Sequence, residues 1–156
     1  MKAFELNNYL VGLKIGEKIS NDILPKYNIL EVDRVIYGDP NREIEGIAVC
    51  WMPYIETIRK ATELGANVIV AHEPTFYDHW DLEGSFHDSA AVAEKKRIID
   101  ENHITIIRCH DVWDVFPDHG ILPAWAEFLG LNDAIKIINP FGIYKIEKQT
   151  AIEYAR

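Results

Sequence analysis

The sequence predicts an α/β fold: a mixed, mainly parallel sheet with helices on both faces and an antiparallel strand pair near the N-terminus. Three observations lead to this prediction. Strand-like and helix-like stretches alternate from residue 46 onwards, the strand-like stretches are almost continuously apolar, and the turn-forming "GDPN" separates two β-rich runs. Parallel strands buried on both faces have this apolar character, and helices connect them by right-handed crossovers.

The N-terminal third is predicted to contain one helix and two strands. Apolar residues recur at helical spacing between about Lys2 and Lys14, which predicts a helix there. The stretch "GEKISNDILPKYN" is polar and predicts a loop. The runs at 32–37 and 46–52 flank "GDPN", and we expect them to pair as the antiparallel strands.

Two further strands and three helices follow. "PYIETIRKATELG" predicts a helix that begins at Pro53 and stops at Gly65, and "ANVIVAH" predicts the next strand. "DSAAVAEKKRIIDEN" predicts a helix capped by Asp88 or Ser89, and "ITIIRCH" predicts the third strand. After the loop "DVWDVFPDHG", a helix is expected at about 122–129, closed by Gly130.

The length of 156 residues suits one compact domain, which we place at 1–140. Residues 141–156 are expected to start a further, truncated segment. Thr150 can cap a helix that "AIEYAR" begins, yet the chain stops before such a helix could bury a face. We therefore expect this chain to be the front part of a longer one.

Charge and apolar content exclude some classes of protein. Acidic residues number 25 and basic residues 16, a formal charge of -9 that disfavours binding to nucleic-acid phosphates. No apolar run approaches the roughly 20 residues of a membrane span, and the N-terminus lacks the apolar core of a signal peptide. Cys50 and Cys109 lie in apolar stretches, as reduced, buried thiols do. We expect a cytoplasmic protein that binds neither membranes nor nucleic acid.

Side chains suited to binding metal follow two successive strands of the predicted sheet. His72 and Glu73 end one strand, His110 and Asp111 end the next, and Asp114 lies in the loop that follows. Ligands bind at the carboxyl ends of parallel strands in open α/β sheets. Imidazole and carboxylate groups together bind Fe, Mn, Zn and similar ions, so the pattern indicates a metal centre. The alternative is that both histidines are hydrogen-bonded to nearby acids, and the residues alone favour neither.

Residues in the neighbouring loops could complete a pocket. His79 is close enough in sequence for its loop to fold it and Asp81 over the site. Trp51, Trp80 and Trp113 lie in the same predicted loops, where they would either stack a planar ligand or cover the end of the sheet. No G-x-S-x-G elbow and no glycine-rich phosphate loop occur, so neither serine nucleophile nor P-loop chemistry is indicated.

The order of short motifs resembles the GTP cyclohydrolase I type 2 family, also known as the NGG-one-interacting-factor-three-like proteins. The motifs are Gly-Asp-Pro, a proline-led helix ending in Gly-Ala, His-x-Pro-x-Phe, His-x-x-x-Asp and Leu-Gly-Leu. In this chain they occupy residues 38–40, 53–66, 72–76, 110–114 and 129–131.

The resemblance implies a hexameric toroid of α/β subunits with a dinuclear metal centre in each subunit. By position in the motifs, it implies that His72, Glu73 and Asp114 bind metal, and that His110 orients ligands or relays a proton as a catalytic residue. Glu73 stands where the family has a second histidine, which favours Mn, Mg or Fe over softer ions. The family's remaining ligands, in a second sequence half, have no counterpart before Arg156. We therefore expect two divalent ions (Fe, Mn, Zn or Mg) per complete subunit and weak binding by this chain.

The resemblance leaves two hypotheses about function. The first is a metal-dependent hydrolase, in a homohexamer, that acts on a nucleotide-like or other small substrate. The second is a non-catalytic toroid scaffold or regulatory binding protein whose metal is structural or vestigial. The ligand pattern favours the first hypothesis, whereas Glu73 and the absent second half favour the second.

Overall fold

The computed structural model describes residues 1–13, 32–81, 88–114, 116, 119–138 and 141–154. The chain forms two compact units, Met1–Val112 and Trp113–Arg156. The division into domains that the sequence predicts, at 1–140 and 141–156, stays a prediction. The loop predicted at 16–28 lies outside the described residues.

The first unit is built around a four-stranded sheet. Its elements, in chain order, are α1 (Ala3–Leu13), β1 (Val35–Tyr37), β2 (Ile47–Cys50), α2 (Ile55–Glu63), β3 (Val68–Ala71), α3 (Ala90–Glu101) and β4 (Thr105–Arg108). The strand order is β1-β4-β3-β2, with β2, β3 and β4 parallel and β1 antiparallel to β4. The predicted fold class is thereby confirmed.

The antiparallel partner of β1 differs from the one predicted. We expected 32–37 to pair with 46–52, and this was wrong: Tyr37 lies opposite Ile106 of β4, and β2 pairs in parallel with β3. The reason is burial, because every residue of β4 is buried whereas β2 alternates between exposed and half-buried. β4, whose residues are all buried, takes a neighbour on each side, and the partly exposed β2 becomes an edge.

Alternate residues of the central strands face helices on opposite sides of the sheet. On one face, Ile69 and Ile106 pack with buried residues of α2 and α3. On the other face, Val68 and Ile107 pack with Leu6 of α1. Each fully buried aliphatic side chain of this kind contributes roughly 1.5–3 kcal/mol. The predicted placement of helices on both faces is therefore confirmed.

Helix ends follow the signals in the sequence. Gly65, with φ of 81°, follows α2, and the amide of Ala66 donates to the carbonyl of Ala61 at 2.9 Å, which is the usual closure by a left-handed glycine. Ser89 caps α3, since its hydroxyl accepts a hydrogen bond from the Val92 amide at 3.2 Å. Both ends were predicted.

After α4 (Asp111–Asp114), the second unit contains α5 (Ile121–Phe128), β5 (Lys136–Ile138), β6 (Phe141–Ile143) and α6 (Ala151–Tyr154). The start of α6 at Thr150 was predicted. The Thr150 hydroxyl accepts a hydrogen bond from the Glu153 amide at 3.2 Å, and the Glu153 carboxylate accepts one from the Thr150 amide at 2.7 Å. The antiparallel pair β5–β6 was not predicted, because three-residue strands are too short to show a period.

The stretch at 111–120 was predicted as a loop, but it contains a short helix, α4 (Asp111–Asp114). One turn of helix is too short to carry an apolar period, so no sequence pattern announced it. Within the described part of the chain, no helix has the length and apolar content needed to cross a membrane.

One buried lysine ties α3 to the loop after β3. The Lys95 side chain is 0% exposed, and its Nζ donates to the carbonyl of Thr75 at 2.6 Å and lies 4.1 Å from the centre of the Tyr77 ring. Burial lowers the pKa of Lys95 to about 8, although the negative charge of Asp81 opposes the shift. The folded chain therefore carries a cation whose charge is costly to keep.

The lowered pKa of Lys95 predicts a pH dependence of stability. Between about pH 8 and pH 10.5 the unfolded chain holds the Lys95 proton more tightly than the folded chain, so the penalty for the buried charge is present at low pH and disappears as pH rises. We expect the free energy of unfolding of the wild type, minus that of Lys95→Met, to increase by about 2–3 kcal/mol across this window. Urea unfolding curves at each pH measure it.

Lys60→Met is the matched control for this experiment. Lys60 is an exposed lysine of α2 that pairs with Glu63 at 3.0 Å, so its removal should change the free energy of unfolding little. A flat difference for Lys95→Met would contradict the lowered pKa.

Candidate metal centre

Three side chains that can bind metal meet at the carboxyl ends of β3 and β4. The strands are parallel and in register, with Ala71 beside Arg108, so the residues that follow them emerge at the same edge of the sheet. His72, Glu73 and His110 each offer one ligand atom, and these atoms lie within 4.8 Å of one another. Two imidazoles and a carboxylate at this separation can hold a divalent ion.

Stacked rings orient the imidazole of His72. The ring centres of Trp51 and His72 are 4.3 Å apart at 23°, and those of His72 and His110 are 4.3 Å apart at 21°. His72 Nδ1 lies 3.2 Å from the carbonyl oxygen of Cys109. Because a carbonyl only accepts hydrogen bonds, this contact assigns the proton to Nδ1 and leaves Nε2 with the lone pair that a metal needs.

Two aspartates hold His110. Its Nδ1 lies 2.8 Å from a carboxylate oxygen of Asp111, which fixes the ring and leaves Nε2 available. Asp33, buried at 3% exposure, accepts hydrogen bonds from the amides of His110 at 2.6 Å and Val112 at 3.1 Å. Its carboxylate thus satisfies amides where α4 begins. Asp33 was not predicted from the sequence, because it lies 77 residues before His110 and follows no strand of the predicted sheet edge.

The loop of residues 72–81 is fastened from inside by charged side chains. Arg108 is 1% exposed; its Nε donates to the carbonyl of His72 at 3.0 Å, and its Nη1 donates to the carbonyl of His79. Arg34 donates to the carbonyl of Trp80 at 2.7 Å. These bonds satisfy backbone carbonyls that would otherwise have no partner in regular structure. Neither arginine was singled out in the sequence, since the predicted strand "ITIIRCH" gives no sign of where its arginine points.

Asp81 turns inward instead of folding over the ligands. Its carboxylate, almost fully buried, accepts hydrogen bonds from the amides of Thr75 at 3.0 Å and Phe76 at 2.6 Å. Burial raises the pKa of Asp81, while the two amides and the nearby Arg108 oppose that rise. Asp81 therefore stabilises the loop that begins with the candidate ligands.

The aromatic residues expected near the site fall into different places. Trp51 stacks on His72 with most of its surface exposed. His79 is exposed, and its ring centre is 6.0 Å from that of His110 with the planes nearly perpendicular, so it borders the three ligand residues. Trp113 belongs to the second unit.

The predicted ligand set is brought together in part. His72 and Glu73 lie with His110, which the family pattern had placed in an orienting or catalytic role. Asp114 is the last residue of α4 and belongs to the second unit, and its role as a ligand stays a prediction.

The two cysteines, Cys50 and Cys109, are free thiols and half-buried. Burial raises the pKa of Cys50 to about 11, which disfavours a reactive thiolate there.

Several solved structures share this fold. Staphylococcus aureus protein SA1388 is 22% identical with a TM-score of 0.64, over 89% of this chain and 36% of that one. Reduced HcgD from Methanocaldococcus jannaschii is 21% identical with a TM-score of 0.64, over 86% of this chain and 49% of that one. A Bacillus cereus protein related to NIF3 is 24% identical with a TM-score of 0.59, over 86% of this chain and 34% of that one. This chain thus spans between about a third and a half of the length of these structures.

The sequence also matches a family model. No curated protein matches the chain, but the model of Duf34/NIF3 (NGG1p interacting factor 3) matches residues 16–153. This is the family that the short motifs resemble, and the match covers most of the chain. The chain belongs to the Duf34/NIF3 family.

Proposed function

We propose that this protein binds a divalent metal ion through His72, Glu73 and His110. The observation that supports the proposal is the convergence of their three ligand atoms within 4.8 Å at the ends of adjacent parallel strands. The donor chemistry fits, since two imidazoles and one carboxylate suit Mn, Fe or Zn. The hydrogen bonds of both histidines through Nδ1 support the same proposal, because each leaves Nε2 as the ring nitrogen that can serve as the ligand atom.

The reaction that we propose is metal-dependent hydrolysis of a small, nucleotide-like substrate. A divalent cation at this position would supply Lewis acidity. Within the chain, Glu73 brings negative charge to the ligand group, and Asp111 keeps the proton of His110 on Nδ1. Trp51 presents an exposed ring beside His72, where it can exclude water from one side of the ligands. We further propose that the complete subunit holds two ions, that Asp114 is a ligand, and that six subunits form a ring.

Removal of one imidazole tests the metal site. We expect purified wild-type protein to hold well under two equivalents of metal, and to bind added Mn²⁺ or Zn²⁺ weakly in a calorimetric titration. Since a ligand lost from a three-residue site removes much of the binding energy, His72→Ala should weaken binding at least tenfold, about 1.4 kcal/mol. His103→Ala, at an exposed histidine, is the control and should bind as the wild type does. Metal binding by His72→Ala that is as tight as that of the wild type would refute the proposed site.

Glu73 should set the choice of metal. A carboxylate favours harder ions and an imidazole favours Zn²⁺, so Glu73→His should raise the preference for Zn²⁺ over Mn²⁺ by about tenfold. Parallel titrations with the two ions measure the ratio of dissociation constants. Glu63→His, at an exposed position of α2, provides the same substitution away from the site. An unchanged ratio in Glu73→His would remove Glu73 from the ligand set.

Turnover separates the enzyme from the scaffold. With the protein loaded with Mn²⁺, we expect chromatography to show loss of GTP or a simpler phosphate ester, at a rate that Asp114→Ala reduces at least a hundredfold. Light scattering of the same samples reports assembly. Full assembly with neither bound metal nor turnover would refute the hydrolase and favour the non-catalytic scaffold.

A further inference from the structure

Arg108 joins the two ends of the loop that starts at the candidate ligands. Its guanidinium donates through Nε to the carbonyl of His72 at 3.0 Å and through Nη1 to the carbonyl of His79. The side chain is the last of β4 and is 1% exposed. Its Nη2 is also buried, with no hydrogen-bond partner among the residues that the structure describes. Within the part of the chain that the structure describes, the guanidinium therefore uses two of its three nitrogens.

Placing a guanidinium here is costly, so its contacts need an explanation beyond packing. Withdrawing such a cation from water is unfavourable, and an apolar side chain such as those at Ile106 and Ile107 would fill the space without that penalty. Burial lowers the pKa of Arg108, while Asp81 and, more weakly, Glu73 oppose that shift. The charge is thus partly balanced by carboxylates that include a candidate ligand.

We propose that Arg108 is a positioning residue for the metal centre: by fixing the His72 carbonyl, it holds the His72 ring in the Trp51–His72–His110 stack. This inference rests on the proposed metal site and names the residue that prepares it. The planar guanidinium directs two N–H donors at the carbonyls of residues 72 and 79, and so fixes both ends of the loop. The ammonium group of a lysine, which acts as a point charge, could not do this.

The other contacts of His72 show what Arg108 adds. The amide of His72 donates to carbonyls at the end of β2, at 3.2 Å to Cys50 and 3.1 Å to Trp51, and its Nδ1 meets the Cys109 carbonyl at 3.2 Å. These bonds hold the residue from the sides of β2 and β4. The bond from Arg108 holds its carbonyl, and with it the direction in which the chain leaves towards Glu73.

Lys95 offers a matched control. It too is fully buried and donates to a carbonyl of this loop, but its partner is Thr75, three residues beyond His72, and not a candidate ligand. Lys95→Met therefore removes a buried cation and a loop bond of the same kind. A general loosening of the loop would respond to both changes, whereas positioning of His72 should respond to Arg108 alone.

The test is made first on the metal-free full chain. In ¹³C–¹H spectra of labelled histidines, with His72 assigned from its loss in His72→Gln, the stacked rings of Trp51 and His110 should shift the His72 ring protons upfield. We expect Arg108→Gln to lose more than half of this upfield shift and Arg108→Lys to lose part of it. Lys95→Met should keep it. In titrations with Co²⁺, Arg108→Gln should bind at least tenfold more weakly and Lys95→Met within threefold of the wild type.

Each outcome bears on the proposal. Retention of the upfield shift in Arg108→Gln overturns it, as does an equal loss in Lys95→Met. Failure of both Arg108 variants to fold also overturns it, since Arg108 would then serve the fold as a whole. A shift lost in Arg108→Gln while the wild type binds no Co²⁺ would leave the positioning role intact and refute the metal site. If Arg108→Gln keeps the upfield shift while the wild type binds Co²⁺ tightly, the positioning role is refuted and the metal site is supported.

Discussion

The parallel register of β3 with β4 is the constraint on which the candidate metal centre depends. Val68 lies beside Thr105 and Ala71 beside Arg108, so both strands end at one level. A slip of one residue would send every side chain of one strand to the opposite face. Helices cover both faces here, and such a slip would drive polar groups at the strand ends into an apolar layer. Core packing thereby fixes where His72 and His110 emerge.

Charged side chains form hydrogen bonds with the backbone of the loop that follows β3. Arg108, Arg34 and Lys95 donate to its carbonyls, and Asp81 accepts from its amides. Hydrogen bonds with a charged partner are roughly twice as strong as neutral ones, which suits a loop that has no ladder of its own. Desolvation offsets much of that gain in stability. The arrangement therefore favours one loop geometry more than it favours a large free energy of folding.

The convergence of His72, Glu73 and His110 was predictable because each follows an apolar run, and parallel strands end together. Both helix caps at Gly65 and Ser89 were predictable from local chemistry for a similar reason. Asp33 and Arg108 were not, since nothing local distinguishes a charged residue that reaches across the fold from one that meets solvent. The partner of β1 was missed because the order of strands depends on which strand is most buried, a property of the assembled sheet. The short elements α4, β5 and β6 lack any period to detect.

The bond between Asp33 and the His110 amide has a consequence for how the protein reaches its native state. It joins residues 77 positions apart, and the bond from Arg108 to His72 spans 36 positions. Closing such long loops is slow, because the chain loses conformational entropy before the new contacts stabilise it. His72 and His110 follow different strands, so the centre forms only when β3 and β4 have paired. An ion that binds all three side chains favours the native chain over the unfolded one, so its concentration raises the population of folded molecules.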